Sequence, residues 1–100
     1  MELTIQNNQE NITATFCGSL DTLAAEQAEP QIKELENLAD KPLILDCNAL
    51  EYIASSGLRL LLRLRKAAAT KGQQVTLLGV NSNIMEVLKV THFENMFIIK

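Results

Sequence analysis

Residues 43–70 read LILDCNALEYIASSGLRLLLRLRKAAAT, and this stretch decides the fold class. It begins with the continuous apolar run Leu43-Ile44-Leu45, which is typical of a strand that is buried on both faces. It ends in a pattern with helical periodicity, in which leucines and alanines occupy most of the circumference. The polar stripe of this helix consists of Arg59, Arg63, Lys66 and Thr70. A buried strand followed by a heavily packed helix predicts an α/β domain.

The segment before this stretch predicts a β-hairpin and a helix. Leu3 to Gln6 is a short strand candidate, and the alternation of apolar residues with threonine from Ile12 to Cys17 is typical of a half-buried strand. A helical pattern follows from Leu23 to Ala39. Pro30 interrupts this pattern. Because proline removes a backbone donor, Pro30 predicts either that the regular helix starts nearby or that the helix is kinked.

The segment after the central helix predicts two further strands around a short helix. Lys71-Gly72 indicates the end of the central helix, because glycine readily adopts the left-handed conformation of a helix cap. Strands are expected at Val75 to Leu78 and at Met96 to Ile99. The short helix between them is expected to begin after a cap at Asn81 or Ser82.

Taken in order, these patterns give β-β-α-β-α-β-α-β in one domain over residues 1–100. Strands that alternate with helices predict a mixed sheet of about four or five strands with about three helices packed on it. Residues 46–53, between the buried strand and the central helix, are expected to form a mixed loop. Phe16 and Tyr52 are expected in the core.

Composition and charge exclude several classes of function. The 100 residues are 47% hydrophobic and 21% charged, and their net charge of −3 argues against a general nucleic-acid binder. The four glycines are scattered and the single histidine has no cluster of metal ligands, so no phosphate loop, metal or cofactor is expected. No apolar run approaches the roughly 20 residues of a membrane span. With no visible export signal, a cytoplasmic protein with Cys17 and Cys47 buried and reduced is expected.

The junction before the central helix is the strongest candidate for a functional site. Ser55 and Ser56 stand where hydroxyl groups accept hydrogen bonds from the free N–H groups of a first helical turn. The same N–H groups and the helix dipole stabilise a phosphate, so phosphorylation of Ser55 would be tolerated. It would add a charge of roughly −1.5 to −2 to the surface. Gly57 would allow another backbone to approach closely. On spacing alone, a capped helix without a regulatory role remains the simpler interpretation.

Two groups of residues resemble the STAS domain of anti-sigma factor antagonists. Leu43-Ile44-Leu45-Asp46, followed by residues 52–58, is similar to the family's apolar strand ending in Asp and its Asp-Ser-Ser/Thr-Gly-Leu helix start. Gly18-Ser19-Leu20-Asp21 is similar to the family's Gly-Glu-Leu-Asp, and the resemblance covers nearly the whole chain. The chain departs from the pattern at Ala54, which replaces the motif Asp, and at His92, which occupies the position of a glycine.

This resemblance implies a cytoplasmic protein–protein switch that is not an enzyme. Ser55 is implied to be the phosphoacceptor of a serine kinase that is also an anti-sigma factor. The unphosphorylated antagonist would bind that kinase and free the sigma factor, and a PP2C-type phosphatase would remove the phosphate. The partner-binding residues that the resemblance implies are Asp21, Ser56, Gly57 and Leu58, with Arg59 and Arg63 at the flanks.

Alternatives to this switch stay open. Ala54 favours a STAS scaffold that is not phosphorylated, such as a subunit bound to a membrane transporter or to a larger signalling assembly. An enzyme with Ser55 as nucleophile is disfavoured, because the only histidine lies far along the chain and nothing resembles a nucleophile elbow. His92 is expected to be a partly buried structural residue. The basic stretch from Arg59 to Lys71 is either a solvated helix face or a stripe that docks acidic groups or a nearby phosphate.

Overall fold

The order of strands and helices agrees with the sequence patterns. The computed structural model describes residues 1–100. Its elements are β1 (Glu2–Asn7), β2 (Ile12–Leu20), α1 (Thr22–Leu38), β3 (Leu43–Ile53), α2 (Ser55–Thr70), β4 (Val75–Leu78), α3 (Ser82–Val90), a single 3-10 turn (Glu94–Met96) and β5 (Ile98–Ile99). The α/β fold class is therefore confirmed.

The five strands form one mixed sheet in the order β1-β2-β3-β4-β5. β1 pairs with β2 in antiparallel orientation, and every other neighbouring pair is parallel. The hairpin turn is held by Lys41, whose Nζ donates to Asn7 Oδ1 and to the Asn8 carbonyl at 2.8 Å. Because β2, β3 and β4 run in the same direction, α1 and α2 both begin at one edge of the sheet.

The core lies between one face of the sheet and the helices. Ile12, Ala14 and Phe16 are completely buried on that face, whereas the intervening Thr13 and Thr15 are only partly buried. This alternation confirms the half-buried strand predicted for β2 and the core position predicted for Phe16. The core contains 26 hydrophobic residues and no polar or charged one. Each fully buried Leu or Phe side chain contributes roughly 1.5–3 kcal/mol to the free energy of unfolding.

β3 is longer than the sequence pattern indicates. Residues 46–53, predicted as a loop, continue the strand to Ile53. The register between β2 and β3 shifts twice, between Thr15 and Cys17 and again between Gly18 and Ser19. Each shift places an additional β3 residue opposite β2, as in a β-bulge. Because a bulge interrupts the period of two, the pattern looks irregular although the strand is continuous.

Three further expectations need correction. α1 starts at Thr22 and runs through Pro30, so the regular helix does not start near the proline. Pro30 is exposed, which leaves the carbonyl that lacks a helical donor close to water. The last strand comprises only Ile98–Ile99, because Met96 belongs to the 3-10 turn. Cys17 is exposed rather than buried.

The two cysteines are both free thiols, and their environments differ sharply. Cys47 is buried as expected. Burial, and to a lesser extent charge repulsion by the neighbouring Asp46 carboxylate, raises the pKa of the Cys47 thiol to about 12. Alkylation requires the thiolate. In the folded protein, Cys47 therefore stays protonated and unreactive through neutral and mildly alkaline pH.

We predict that iodoacetamide at about pH 8.5, near the ordinary pKa of a free thiol, adds a single carbamidomethyl group to the native protein. Peptide mass spectrometry should locate the group on Cys17, which is exposed. The urea-unfolded protein, as the control, should gain two groups. Equal labelling of Cys17 and Cys47 in the native protein would contradict the burial of Cys47.

Candidate functional site

The candidate site lies where β2 and β3 end side by side. Leu20 pairs with Ile53 at the last position of the two strands. The Ala54 N–H then donates to the Leu20 carbonyl at 2.9 Å, which fixes the start of α2 against the end of β2. The Ser56 hydroxyl donates to Thr22 Oγ1 at 3.2 Å. The structure therefore brings together the two motifs that are more than thirty residues apart in the sequence.

The two helices at this edge start in different ways. Asp21 caps α1, since its Oδ1 accepts from the Ala24 N–H at 2.8 Å. The N-cap of α2 is Ala54, and no side chain accepts a hydrogen bond there. Ser55 and Ser56 are the first two residues of the helix, so the prediction that they cap it is wrong. The first turn of α2 consequently keeps its N–H groups free of any side-chain acceptor.

Gly57 and Leu58 face the interior of the protein. A Cβ atom on Gly57 would lie 2.6 Å from Leu20 Cγ and 2.8 Å from the Leu20 carbonyl oxygen. The close approach that this glycine permits is therefore between α2 and β2, and not with another protein. Leu58 is only 6% exposed and belongs to the core. The expectation that these two residues contact a partner is corrected: they position the surface on which Ser55 lies.

An open cleft of about 510 Å³ separates the first turns of α1 and α2. Its polar lining includes Thr22, Glu26 and Glu29 from α1 and Ser55, Arg59 and Arg63 from α2. Ser55 and Arg59 are exposed, whereas Ser56 is half-buried. Of the predicted site residues, Asp21, Ser55, Ser56 and Arg59 therefore share one accessible edge of the molecule.

Arg63 connects the two helices. Its Nη1 lies 2.8 Å from Glu29 Oε1 and its Nη2 lies 2.7 Å from Glu36 Oε1. These hydrogen bonds, first to Glu36 and then to Glu29, raise the pKa of the guanidinium above its ordinary value. Arg63 was predicted at the flank of a docking surface. Because two carboxylates of its own chain already bind its guanidinium, Arg63 is only partly available to a partner.

The basic side chains between Arg59 and Lys71 make different contacts. Arg65 Nε donates to the Met96 carbonyl at 3.2 Å. Lys71 Nζ donates to the carbonyls of Glu36 and Asn37, near the end of α1. Neither Arg59 nor Lys66 forms an ion pair or a side-chain hydrogen bond. The stretch is therefore not one continuous docking stripe, and Arg59 is its free member at the candidate site.

Two exposed apolar side chains flank the site and were not predicted. Tyr52 is 55% exposed, so its assignment to the core is wrong. The second bulge leaves Glu51 without a partner and pairs Tyr52 with Ser19, which turns the ring outward. Leu23 is 62% exposed in the first turn of α1. The sequence does contain a signal for this exposure. At helical spacing, Leu23 lies on the same face of α1 as Gln27, Pro30 and Glu34, and this face is exposed.

The structure shows no chemical support for catalysis at Ser55. Its hydroxyl has no hydrogen-bonded base, and the Ser56 hydroxyl bonds only to Thr22. His92 is exposed with a φ of 62°, so it is not the partly buried residue that was expected. A glycine adopts this left-handed conformation at no steric cost. No group of three or more metal-ligating side chains is present, and none of the helices is both long and apolar enough for a bilayer.

Sequence comparison finds a family model and a known protein that match nearly the whole chain. A sequence model of the family described as "STAS domain" matches residues 2–100. A Bordetella bronchiseptica protein, BtrV, named as a candidate anti-sigma factor antagonist, is 26% identical over 97 residues, which cover 97% of this chain and 84% of that protein.

Solved structures share the fold at lower sequence identity. A candidate anti-sigma factor antagonist of Thermotoga maritima, tm1081, has a TM-score of 0.86 at 17% identity, and the match covers 97% of this chain and 84% of the other. The Bacillus cell fate determinant SpoIIAA in its phosphorylated form has a TM-score of 0.75 at 18% identity, with 99% and 91% covered. These likenesses confirm the predicted fold.

We predict that Gly57→Ala lowers the free energy of unfolding by about 1 kcal/mol or more, because the overlap with Leu20 exceeds the gain in helix propensity. Urea denaturation followed by circular dichroism measures this loss. Ser55→Ala, an exposed change two residues earlier, is the control and should stay within about 0.5 kcal/mol of the wild type. A Gly57→Ala protein as stable as the wild type would show that α2 does not rest on Leu20.

Proposed function

Since the chain belongs to the STAS domain family, we propose that it is an anti-sigma factor antagonist that works by partner switching. In its unphosphorylated form it binds a serine kinase that is also an anti-sigma factor, and the bound kinase releases its sigma factor. The kinase transfers the γ-phosphoryl group of ATP to the Ser55 hydroxyl, which releases ADP and a proton. A PP2C-type phosphatase hydrolyses the phosphate and resets the switch.

The position of Ser55 is the observation that carries this proposal. Ser55 is exposed and is the first residue of α2, where no side chain accepts from the backbone N–H groups. A dianionic group is stabilised at such a helix start by the N–H groups and by the helix dipole. Phosphorylation there leaves the core unchanged and alters only the surface charge. A change of surface charge is what a reversible partner switch requires.

The surface around Ser55 has the composition of a protein-binding site. Tyr52 and Leu23 supply exposed apolar area, and Arg59 supplies an exposed cation that has no partner within the chain. Tyrosine and arginine are enriched among the residues that dominate the free energy of protein association. Asp21 and Ser56 complete the edge, and the buried Gly57 and Leu58 hold it in place. The proposed role is binding and not catalysis, in the cytoplasm where the partner kinase has ATP.

One observation favours a second candidate function. Ala54 occupies the N-cap of α2, next to Ser55, and carries no carboxylate. If the kinase requires a carboxylate at that position, the protein serves as a STAS scaffold that is not phosphorylated, in a transporter or in a signalling complex. The two functions share the fold and the docking edge. They differ in whether Ser55 receives a phosphate and in the complex that the protein joins.

We predict that Ser55→Asp weakens binding to the serine kinase-type anti-sigma factor encoded in the same genome, because it adds charge at the docking edge. Isothermal titration calorimetry should show a loss of at least about tenfold, or 1.4 kcal/mol. Gln74→Glu is the control, since it also adds one negative charge to an exposed position but lies directly before β4, at the opposite end of the sheet, and it should bind like the wild type. Equal affinities of wild type, Ser55→Asp and Ser55→Ala would exclude the switch.

Mass spectrometry after incubation with this kinase and ATP separates the two candidate functions. The switch predicts one phosphate, located on Ser55 and absent from Ser55→Ala. A scaffold that still binds the kinase but gains no phosphate would favour the second candidate.

We further predict that Tyr52→Ala weakens binding of the same kinase by roughly tenfold or more, since an exposed aromatic ring is a typical binding determinant. The free energy of unfolding should change by less than about 0.5 kcal/mol, because Tyr52 lies outside the core. Val90→Ala removes an exposed apolar side chain from α3 and serves as the control. Equal losses for both variants would show that the apolar edge at Tyr52 is not the docking surface.

A further inference from the structure

Arg59 and Ser55 lie on the same face of α2, one helical turn apart. Residues four positions apart are neighbours on a helix surface, and long side chains lean towards the helix N-terminus. Arg59 is therefore placed so that its side chain can reach Ser55. Both side chains are exposed, and both line the cleft between α1 and α2.

The charges around this pair leave Arg59 as the available cation. Arg63, the other arginine of the cleft, is bound to Glu29 and Glu36. Arg59 has no ion pair and no side-chain hydrogen bond. The charged and titratable groups at this edge are Arg59 and Arg63 of α2, Glu26 and Glu29 of α1, Asp21 at the start of α1, and Glu51 and Tyr52 at the end of β3. A phosphate on Ser55 would meet repulsion from Glu26 and Glu29, and Arg59 is the group placed to offset it.

We propose that Arg59 is the phosphate-binding residue of phosphorylated Ser55, and that phosphorylation releases the partner by occupying this arginine. The proposal rests on the proposed function and adds its mechanism. In the unphosphorylated protein the guanidinium is free to bind a carboxylate of the partner. In the phosphorylated protein it forms a charge-assisted pair with the phosphate, which guanidinium binds through two parallel hydrogen bonds. The partner then loses an attractive contact in addition to meeting a negative charge.

This mechanism differs from simple repulsion because it requires a specific contact between the phosphate and the Arg59 guanidinium. If the phosphate acted by its negative charge alone, the effect of any cation on it would depend only on the distance between the two charges and on the ionic strength. A guanidinium engaged by the phosphate makes two parallel hydrogen bonds that an ammonium at the same position cannot reproduce, so Arg59→Lys, which keeps the charge, separates the contact from charge alone. Lys66, exposed and unpaired on α2 at a greater distance from Ser55, is the control for a change in net charge.

The test uses the whole chain with phosphoserine incorporated at position 55 during translation, so that neither kinase nor partner is needed. A ³¹P NMR titration at low ionic strength measures the second pKa of the phosphate, which is about 6 in the absence of interactions. We expect Arg59→Gln to raise this pKa by roughly half a unit, because the cation favours the dianion. Arg59→Lys, which keeps the charge but loses the two parallel hydrogen bonds, should restore only part of the wild-type value, and full restoration would show that charge alone acts. Lys66→Gln, which removes one charge farther from Ser55, should have a clearly smaller effect.

Equal shifts for Arg59→Gln and Lys66→Gln, or no shift in either, would overturn the phosphate contact. Such a result would leave partner switching intact, since that function is tested separately by the Ser55→Asp affinity. Conversely, unchanged affinity of Ser55→Asp would remove the switch without affecting the ³¹P titration. The binding half of the mechanism has its own readout: Arg59→Gln should weaken kinase binding of the unphosphorylated protein more than Lys66→Gln does.

Discussion

The contact between the end of β2 and the first turn of α2 is the constraint on which the candidate site depends. Leu20 accepts a hydrogen bond from the Ala54 N–H and packs against the bare face of Gly57. No larger residue fits at Gly57 without moving the helix or the strand. Because β2 and β3 are parallel, this one contact fixes the starts of two helices next to each other.

The starts of α1 and α2, which this contact holds side by side, differ in how their first N–H groups are capped. α1 uses the Asp21 carboxylate as its own cap, whereas α2 begins at Ala54 and leaves its first N–H groups without a side-chain acceptor. Arg63 holds the two helices together through Glu29 and Glu36. The interactions that stabilise the edge thus involve Asp21 and Arg63, while Ser55 and Arg59 remain free to interact with a phosphate or a partner.

The sequence predicted the element order and most helix boundaries because hydrophobic periodicity and caps such as Asn81 are local properties. It did not predict the continuation of β3 through residues 46–53 or the exposure of Tyr52. Both follow from bulges, and a bulge is defined by the strand that pairs with it. The buried role of Gly57 and the double ion pair of Arg63 also depend on neighbours distant in sequence. The resemblance pointed to one edge of the molecule, but not to which of the residues there reach the surface.

Amide chemical-shift mapping locates the docking surface of the unphosphorylated protein directly. The ¹⁵N-labelled unphosphorylated protein is titrated with the unlabelled anti-sigma factor kinase from the same genome. We expect the largest changes to cluster at residues 19–26 and 51–59, where β2 and β3 end and α1 and α2 begin. Changes concentrated on the open face of the sheet, at Thr13, Thr15 and Thr76, would contradict this expectation, as would changes confined to α3.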